Sequence, residues 1–108
     1  MTVKQLSELE GFQAISLPEP DRRIDGVYVG DLLSWVMGRA KANDAWVTIL
    51  SNVNVVAVAS LSDVACVILA EGVTLDAEVS TVAENRGINV ITTALPAYEA
   101  CRTLSGAL

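Results

Sequence analysis

Glycines and small polar side chains follow each of four apolar segments that have the composition of β-strands. These nine positions are Gly30 and Asp31, then Ser51, Asn52 and Asn54, then Glu71 and Gly72, and finally Thr92 and Thr93. The carboxyl ends of parallel strands meet at one edge of a sheet, and the helices that follow them point backbone N–H groups at that edge. The spacing therefore predicts that these residues surround a small ligand such as a nucleotide or an anionic metabolite.

A second interpretation assigns the same residues to turns and helix caps. Neither a G-x-G-x-x-G motif nor a P-loop sequence is present, and no lysine lies beside any of these turns. A glycine at position 30 permits a tight turn, and Asp31 is placed to cap the helix that follows. Asn52 and Asn54 are typical both of ligand-binding turns and of helix caps. The sequence favours turn and cap at Gly30 and Asp31. It also favours structural roles for the asparagines, Thr92 and Thr93, with ligand binding as the alternative.

Residues that could carry out catalysis are scarce. The chain has no histidine, which removes the commonest general base and the commonest ligand of transition metals. No metal-ligand spacing and no paired carboxylates are recognisable. We therefore predict a non-catalytic protein with no catalytic residue, no metal site and no cofactor.

The remaining reactive and aromatic residues have structural interpretations. Cys66 and Cys101 both lie in apolar stretches without C-x-x-C spacing, which indicates buried thiols and leaves a disulfide between them open. Trp35 and Trp46 are expected to be core residues or anchors of a dimer. The charged run at 21–25 is either a binding loop or a solvated cluster of salt bridges, and the second is favoured.

Composition limits the class of protein further. A chain of 108 residues, 52% of them hydrophobic, suits one domain over residues 1–108 with apolar surface left over for a partner subunit. The net charge of −6 argues against nucleic-acid binding, which relies on clustered basic residues. No signal-peptide pattern is visible, and polar residues interrupt the most apolar run, so we expect a cytoplasmic protein without a membrane span.

Hydrophobic periodicity predicts alternating helices and strands. The expected helices cover residues 3–10 after a Thr2 cap, 30–40, 52–61, 75–87 and the segment after Pro96, and the expected strands cover 12–17, 26–29, 45–50, 65–71 and 88–93. Residues 52–61 are the ambiguous segment, because their valines favour a strand whereas the strand–helix alternation favours a helix. We predict a helix there. The expected fold is a small, mostly parallel sheet of four or five strands flanked by helices.

Two faces of the helices are also predicted. In the helix at 30–40, Leu32, Leu33, Val36 and Met37 share one face. In the last helix, Tyr98, Cys101 and Leu104 are expected to point inward.

The run "GVYVGDLLSWVMGRAKANDAWVTILSNVNVVAVASLSDVACVILAEG", followed by a helix, "GINVITT" and a final helix with "AYEA", resembles the DRTGG domain in element order and apolar pattern. The resemblance implies an α/β domain similar to the N-terminal domain of HPr kinase. Such domains also occur inside phosphotransacetylases and beside CBS domains in a pyrophosphatase, as regulatory or dimerising accessories. The Asp-Arg-Thr-Gly-Gly motif itself is absent, and Ser51–Asn54 occupies the corresponding turn, so no functional residue is transferred.

Two hypotheses about function follow. The leading one is a homodimeric, non-catalytic regulatory or interaction module, with a further protein partner of unknown identity. The alternative is a sensor that binds a nucleotide-like ligand at the carboxyl ends of the strands.

Overall fold

One five-stranded sheet organises the chain in the computed structural model, which describes all of residues 1–108. The strands are β1 (Phe12–Ser16), β2 (Gly26–Val29), β3 (Asp44–Thr48), β4 (Cys66–Leu69) and β5 (Val90–Thr93), and the helices are α1 (Val3–Ser7), α2 (Leu33–Arg39), α3 (Val53–Ser62), α4 (Ala77–Asn85) and α5 (Ala97–Ala107). The strand order is β1-β5-β4-β3-β2, with β1 antiparallel to β5 and all other neighbours parallel. The predicted fold class is confirmed.

Helices cover both faces of the sheet, because the central strands are apolar on both sides. Every residue of β3 and β4 is buried, as expected for strands between two helical layers. One core joins α1 and α5 to one face of the sheet, around Ile68 and Ile91. The other joins α2, α3 and α4 to the opposite face, around Trp46 and Val67. Because the parallel strands follow one another in chain order, the sheet has no point at which the order reverses and opens a crevice.

The ambiguous segment is a helix, as predicted. The Asn52 side chain accepts a hydrogen bond from the Asn54 N–H at 2.9 Å and so caps α3. Its buried residues, Val55, Val56, Val58 and Ala59, pack into the core. The helix ends at Asp63, which adopts the left-handed conformation (φ 56°). Tertiary packing thus outweighs the preference of valine for strands.

A loop at residues 17–25 runs along the edge of the sheet where the parallel strands begin, and we call it the amino-edge loop. Near its start, the Asn89 side chain bonds both the N–H and the C=O of Glu19. Further along, the Arg22 guanidinium donates to Asn43 Oδ1 at 3.1 Å and to Asp63 Oδ1 at 2.7 Å. The favoured interpretation of the 21–25 run as a solvated cluster is therefore wrong for Arg22, which is mostly buried and joins three segments of the fold.

Several side chains predicted to point inward are exposed. In α2 only Val36 is buried, whereas Leu32 and Met37 face solvent. In α5 the buried positions are Ala100 and Leu104, and Tyr98 is 71% exposed. The prediction is confirmed for Leu104, and Cys101 packs partly buried against the same core. It is wrong for Tyr98, because the small Ala100 rather than the tyrosine lies against the sheet.

Candidate functional site

The nine predicted ligand-binding residues lie at one edge of the sheet, as their positions after parallel strands require. We call it the carboxyl edge. The start of β1 lies there too, because β1 is antiparallel and Phe12 pairs with Thr93. The opposite edge is occupied by the amino-edge loop, whose hydrogen bonds to the segments before β3, β4 and β5 hold it in place.

The turn at Gly30 and Asp31 is held by contacts to β3. The Asp31 carboxylate accepts hydrogen bonds from the Thr48 hydroxyl at 2.7 Å and from the Ile49 N–H at 3.1 Å. The Gly30 C=O accepts from Trp46 Nε1 at 2.9 Å. The prediction that Asp31 caps α2 is wrong, since the N-cap is Leu32 and no side chain caps that helix. Its partners, Thr48 and Ile49, are 17 and 18 residues away along the chain. A capping rule that considers only neighbouring residues does not reach them.

Glycine is needed at position 30 for space. A Cβ there would lie 3.0 Å from Cε2 of Tyr28 and 3.4 Å from its hydroxyl oxygen. The Gly30 N–H also donates to the Val47 C=O, which continues the ladder between β2 and β3. The turn therefore places its backbone groups against the neighbouring strand and the tyrosine ring.

Replacing Asp31 with alanine is expected to lower the free energy of unfolding by about 1 to 2 kcal/mol, because the buried Thr48 hydroxyl loses its charged acceptor. Asp31→Ser distinguishes a role as helix cap from the observed role as acceptor of the Thr48 hydroxyl. Serine is a good N-cap, but its shorter side chain does not span to Thr48, so we expect it to be as destabilised as Asp31→Ala in urea unfolding. Recovery of wild-type stability by serine would contradict the observed role.

The turns after β4 and β5 are bound to each other. Glu71 and Gly72 both have positive φ, at 60° and 74°, and successive left-handed residues can form a concave site for an anion. Here the Glu71 N–H donates to the Leu95 C=O and the Gly72 N–H to the Thr93 C=O. The amides that would grip a phosphate are therefore already paired within the protein.

Electrostatics at the carboxyl edge also disfavours anions. The connecting segments there, at 8–11, 30–32, 49–52, 70–76 and 94–96, contain no lysine or arginine. They contain five acidic residues, namely Glu8, Glu10, Asp31, Glu71 and Asp76. Acidic groups near helix N-termini stabilise helix dipoles, so this charge has a structural reason. Its consequence is that a phosphate would meet repulsion at this edge.

A cavity of about 420 Å³ opens at the carboxyl edge between β1 and β5. Three predicted residues, Gly72, Thr92 and Thr93, line it together with residues 11–13 and Ala94. Thr93 is buried and its hydroxyl accepts from the Leu95 N–H at 3.2 Å. Thr92 lies opposite Gln13 in the strand pairing. The structure thus brings these three residues together, whereas Ser51, Asn52 and Asn54 lie at the start of α3 and do not line this cavity.

A second cavity, of about 450 Å³, lies on the other side of the molecule along β2. It is lined by residues 25–28, by Arg39 at the end of α2, by Lys41 and Ala42 after that helix, and by the buried Asp44. Of these residues only Asp25 was considered for a binding site, as part of the charged run at 21–25. The signal in the sequence was the pair of basic residues in "GRAKAND", which the favourable placement of cations at a helix carboxyl terminus also explains.

The two cysteines are free thiols, and no disulfide joins them. Burial raises the pKa of the Cys66 thiol to about 12, and the nearby Arg22 guanidinium lowers it by a smaller amount. Partial burial also raises the pKa of Cys101. A thiol held protonated is a poor nucleophile, so neither group is activated for covalent chemistry.

No cluster of three or more histidine, cysteine, aspartate or glutamate side chains has the arrangement of a metal site. Among the helices, none combines the length and apolar character needed to cross a membrane.

Comparison with known proteins gives a likeness in fold. No protein-family model matches the chain, and no curated protein matches it. Among solved structures, it is similar to the crystal structure of the CBS and DRTGG domains of the regulatory region of Clostridium perfringens pyrophosphatase, complexed with the activator diadenosine tetraphosphate. The TM-score is 0.77 at 18% identity, over 99% of this chain and 47% of that chain. The likeness supports a DRTGG-like fold, and the chain spans about half the length of that neighbour.

Proposed function

We propose that this protein is a non-catalytic regulatory module that acts through protein contacts and associates as a homodimer. The observation that carries the proposal is the concentration of exposed apolar side chains at one corner of the fold. Nine large apolar residues are strongly exposed. Six of them belong to the end of β2, the α2 region and the segment from β3 into α3. Four of these six form what we call the corner patch: Val29, Leu32, Trp35 and Ile49.

Hydrogen bonds and strand pairing bring the segments that carry these four residues together. Asp31 bonds the Ile49 N–H, so the residue after Asp31 lies beside the end of β3. Val29 ends the strand that pairs with β3. Trp35 lies one turn further along α2 from Leu32. Clustered apolar surface on a small protein is typical of interaction sites, whereas single exposed apolar residues need no explanation.

The regulatory part of the proposal is supported by the likeness in fold. The similar structure is described as part of a regulatory region rather than a catalytic domain. The absence of histidine from the sequence and the raised pKa of both thiols agree with a non-catalytic role. Catalysis would then belong to another protein whose activity this module controls.

Light scattering coupled to gel filtration tests the proposal. We expect the wild-type chain to have the mass of a dimer at micromolar concentration, and Leu32→Lys to shift it toward the mass of one chain. Leu61→Lys is the matched control, because Leu61 is an equally large, exposed residue at the far end of α3. A wild-type mass of one chain across this concentration range would contradict the proposal.

A second candidate function is favoured by the cavity at Gly72, Thr92 and Thr93. We propose that it receives an uncharged part of a nucleotide-like ligand, such as a base or a ribose, because the acidic carboxyl edge repels phosphates. The neighbour's complex with diadenosine tetraphosphate supports the choice of ligand class, and the volume of the cavity is within the range of small-molecule sites.

Thermal unfolding with a panel of nucleosides, nucleotides and diadenosine tetraphosphate tests this candidate. A ligand that binds only the native state raises the melting temperature. We expect nucleosides to give at least as large a shift as their phosphates, and Thr92→Val to reduce it. No shift with any member of the panel would contradict ligand binding at this cavity.

A further inference from the structure

We propose that the second cavity, of about 450 Å³ along β2, binds a small zwitterion of the α-amino acid class. We call this cavity the β2 cavity. Its lining includes two acidic side chains, Asp25 and Asp44, and two basic ones, Arg39 and Lys41. It is separate from the corner patch and from the cavity at the carboxyl edge, so the inference does not depend on the proposed homodimer or on a nucleotide-like ligand.

The Asp44 carboxylate offers one free oxygen to the β2 cavity. Asp44 is 9% exposed, and its Oδ2 accepts a hydrogen bond from the Lys41 N–H at 2.8 Å. The other oxygen, Oδ1, has no hydrogen-bond partner within the protein and lies over Gly26, which pairs with Asp44 in the sheet. A Cβ at position 26 would lie 2.7 Å from this oxygen, so any other residue there would cover it. A mostly buried carboxylate oxygen is best satisfied by a charged donor, which a ligand ammonium group provides.

The Arg39 guanidinium supplies the opposite charge in a defined orientation. Its Cζ lies 3.7 Å from the centroid of the Trp35 ring, which is a cation–π contact. A guanidinium stacked on a ring keeps its N–H groups in its own plane, where they can bind a carboxylate in the paired geometry that arginine favours. A side chain that is already held in place loses less entropy when a ligand binds. Lys41 adds a second positive charge to the same lining.

The four charged side chains of the β2 cavity form no ion pairs with one another. All ion pairs within 4.0 Å lie elsewhere in the molecule, and they join Arg22 to Glu19 and Asp63, and Arg102 to Glu99. Acidic and basic groups therefore face one space from separate positions. A simple cation would lie near the two basic groups, and a simple anion would lie near the two acidic ones. A zwitterion pairs with both kinds, and this selects the class of ligand.

The volume and the apolar lining limit the rest of the ligand. About 450 Å³ is in the lower half of the range of roughly 300 to 1,000 Å³ that is typical of small-molecule sites. Val27, Tyr28 and Ala42 supply the apolar part of the lining. These features suit a single amino acid with an uncharged side chain.

Isothermal titration calorimetry with the standard L-amino acids at millimolar concentrations tests the site. We expect at least one amino acid with an uncharged side chain to bind. Its N-acetyl derivative carries only the negative charge and its amide derivative only the positive one. We expect each derivative to bind about tenfold more weakly or worse, because one of the two charge-assisted contacts is missing.

Asp44→Asn and Arg39→Gln are each expected to weaken binding of the amino acid about tenfold or more. Asparagine keeps an acceptor for the Lys41 N–H but turns its NH₂ group toward the ligand ammonium. Arg39 is exposed, so Arg39→Gln tests the site even if Asp44→Asn is unstable. Arg102→Gln is the matched control, because Arg102 is an exposed arginine on α5, and we expect it to bind as the wild type does.

Three results would overturn the inference. The first is the lack of any heat of binding across the amino acids. The second is equally strong binding of the singly charged derivatives, which would show that one charge suffices. The third is binding that both cavity variants leave unchanged, which would place the ligand elsewhere. A wild-type chain that is monomeric and still binds an amino acid through Asp44 and Arg39 would contradict the proposed homodimer and retain this site.

Discussion

Replacing Asn89 with alanine is expected to lower the free energy of unfolding by about 3 kcal/mol, because a fully used buried amide is lost. Asn89 is 2% exposed. Its Nδ2 donates to the C=O of Ala65 at 3.0 Å and of Glu19 at 2.8 Å, and its Oδ1 accepts from the Glu19 N–H at 2.9 Å. Alanine would leave the Ala65 C=O without this donor in the interior and would detach the amino-edge loop from the start of β5.

Urea unfolding measures this effect, with Asn52→Ala as the matched control. Asn52 is an exposed helix cap with a single bond to the Asn54 N–H, so its replacement should cost about 1 kcal/mol. Faster amide exchange at Glu19 in Asn89→Ala, with β3 and β4 still protected, would locate the loss at the loop. An equal loss in the free energy of unfolding for the two asparagine variants would show that burial and the number of hydrogen bonds do not determine this loss.

The contrast between these asparagines shows what the sequence could and could not reveal. Asn52 precedes a helical segment, so a local rule assigns it a cap, and the structure confirms that assignment. Asn89 is one polar residue within the apolar run "GINVITT", and that interruption was its only signal. Its partners, Glu19 and Ala65, are distant in the chain and become its neighbours only when the strand order is known.

The same distinction explains the candidate sites. Strand–helix alternation predicted the carboxyl edge and the residues that reach it, because parallel strands must end together. It did not predict that the amides of Glu71 and Gly72 would be paired with carbonyls of the β5–α5 segment. Nor did it predict the edge position of β2, since strand order depends on packing between elements rather than on any one of them. The edge position of β2 is therefore visible only in the strand order of the folded sheet.

Replacing Trp46 with alanine is expected to lower the free energy of unfolding by about 4 kcal/mol, the largest effect of any single substitution considered for this chain. Trp46 is fully buried in β3, in the core shared with α2, α3 and α4. Its indole N–H also holds the Gly30 C=O at the end of β2. The side chain thus combines packing in the core with a hydrogen bond that positions the end of the edge strand β2.

Trp46→Phe separates these two contributions. Phenylalanine retains most of the apolar volume but has no N–H, so we expect a loss of about 1 to 2 kcal/mol from the missing hydrogen bond and the smaller ring. Trp35→Phe, at an exposed position, should stay within about 0.5 kcal/mol of wild type. In Trp46→Phe the fluorescence of Trp35, the remaining tryptophan, reports on the exposed side of α2. If the Trp35 fluorescence changes while urea unfolding shows an intact core, the bond from Trp46 to Gly30 positions the segment that joins β2 to α2. If Trp46→Phe and Trp46→Ala are equally destabilised, the hydrogen bond rather than packing dominates, contrary to our expectation.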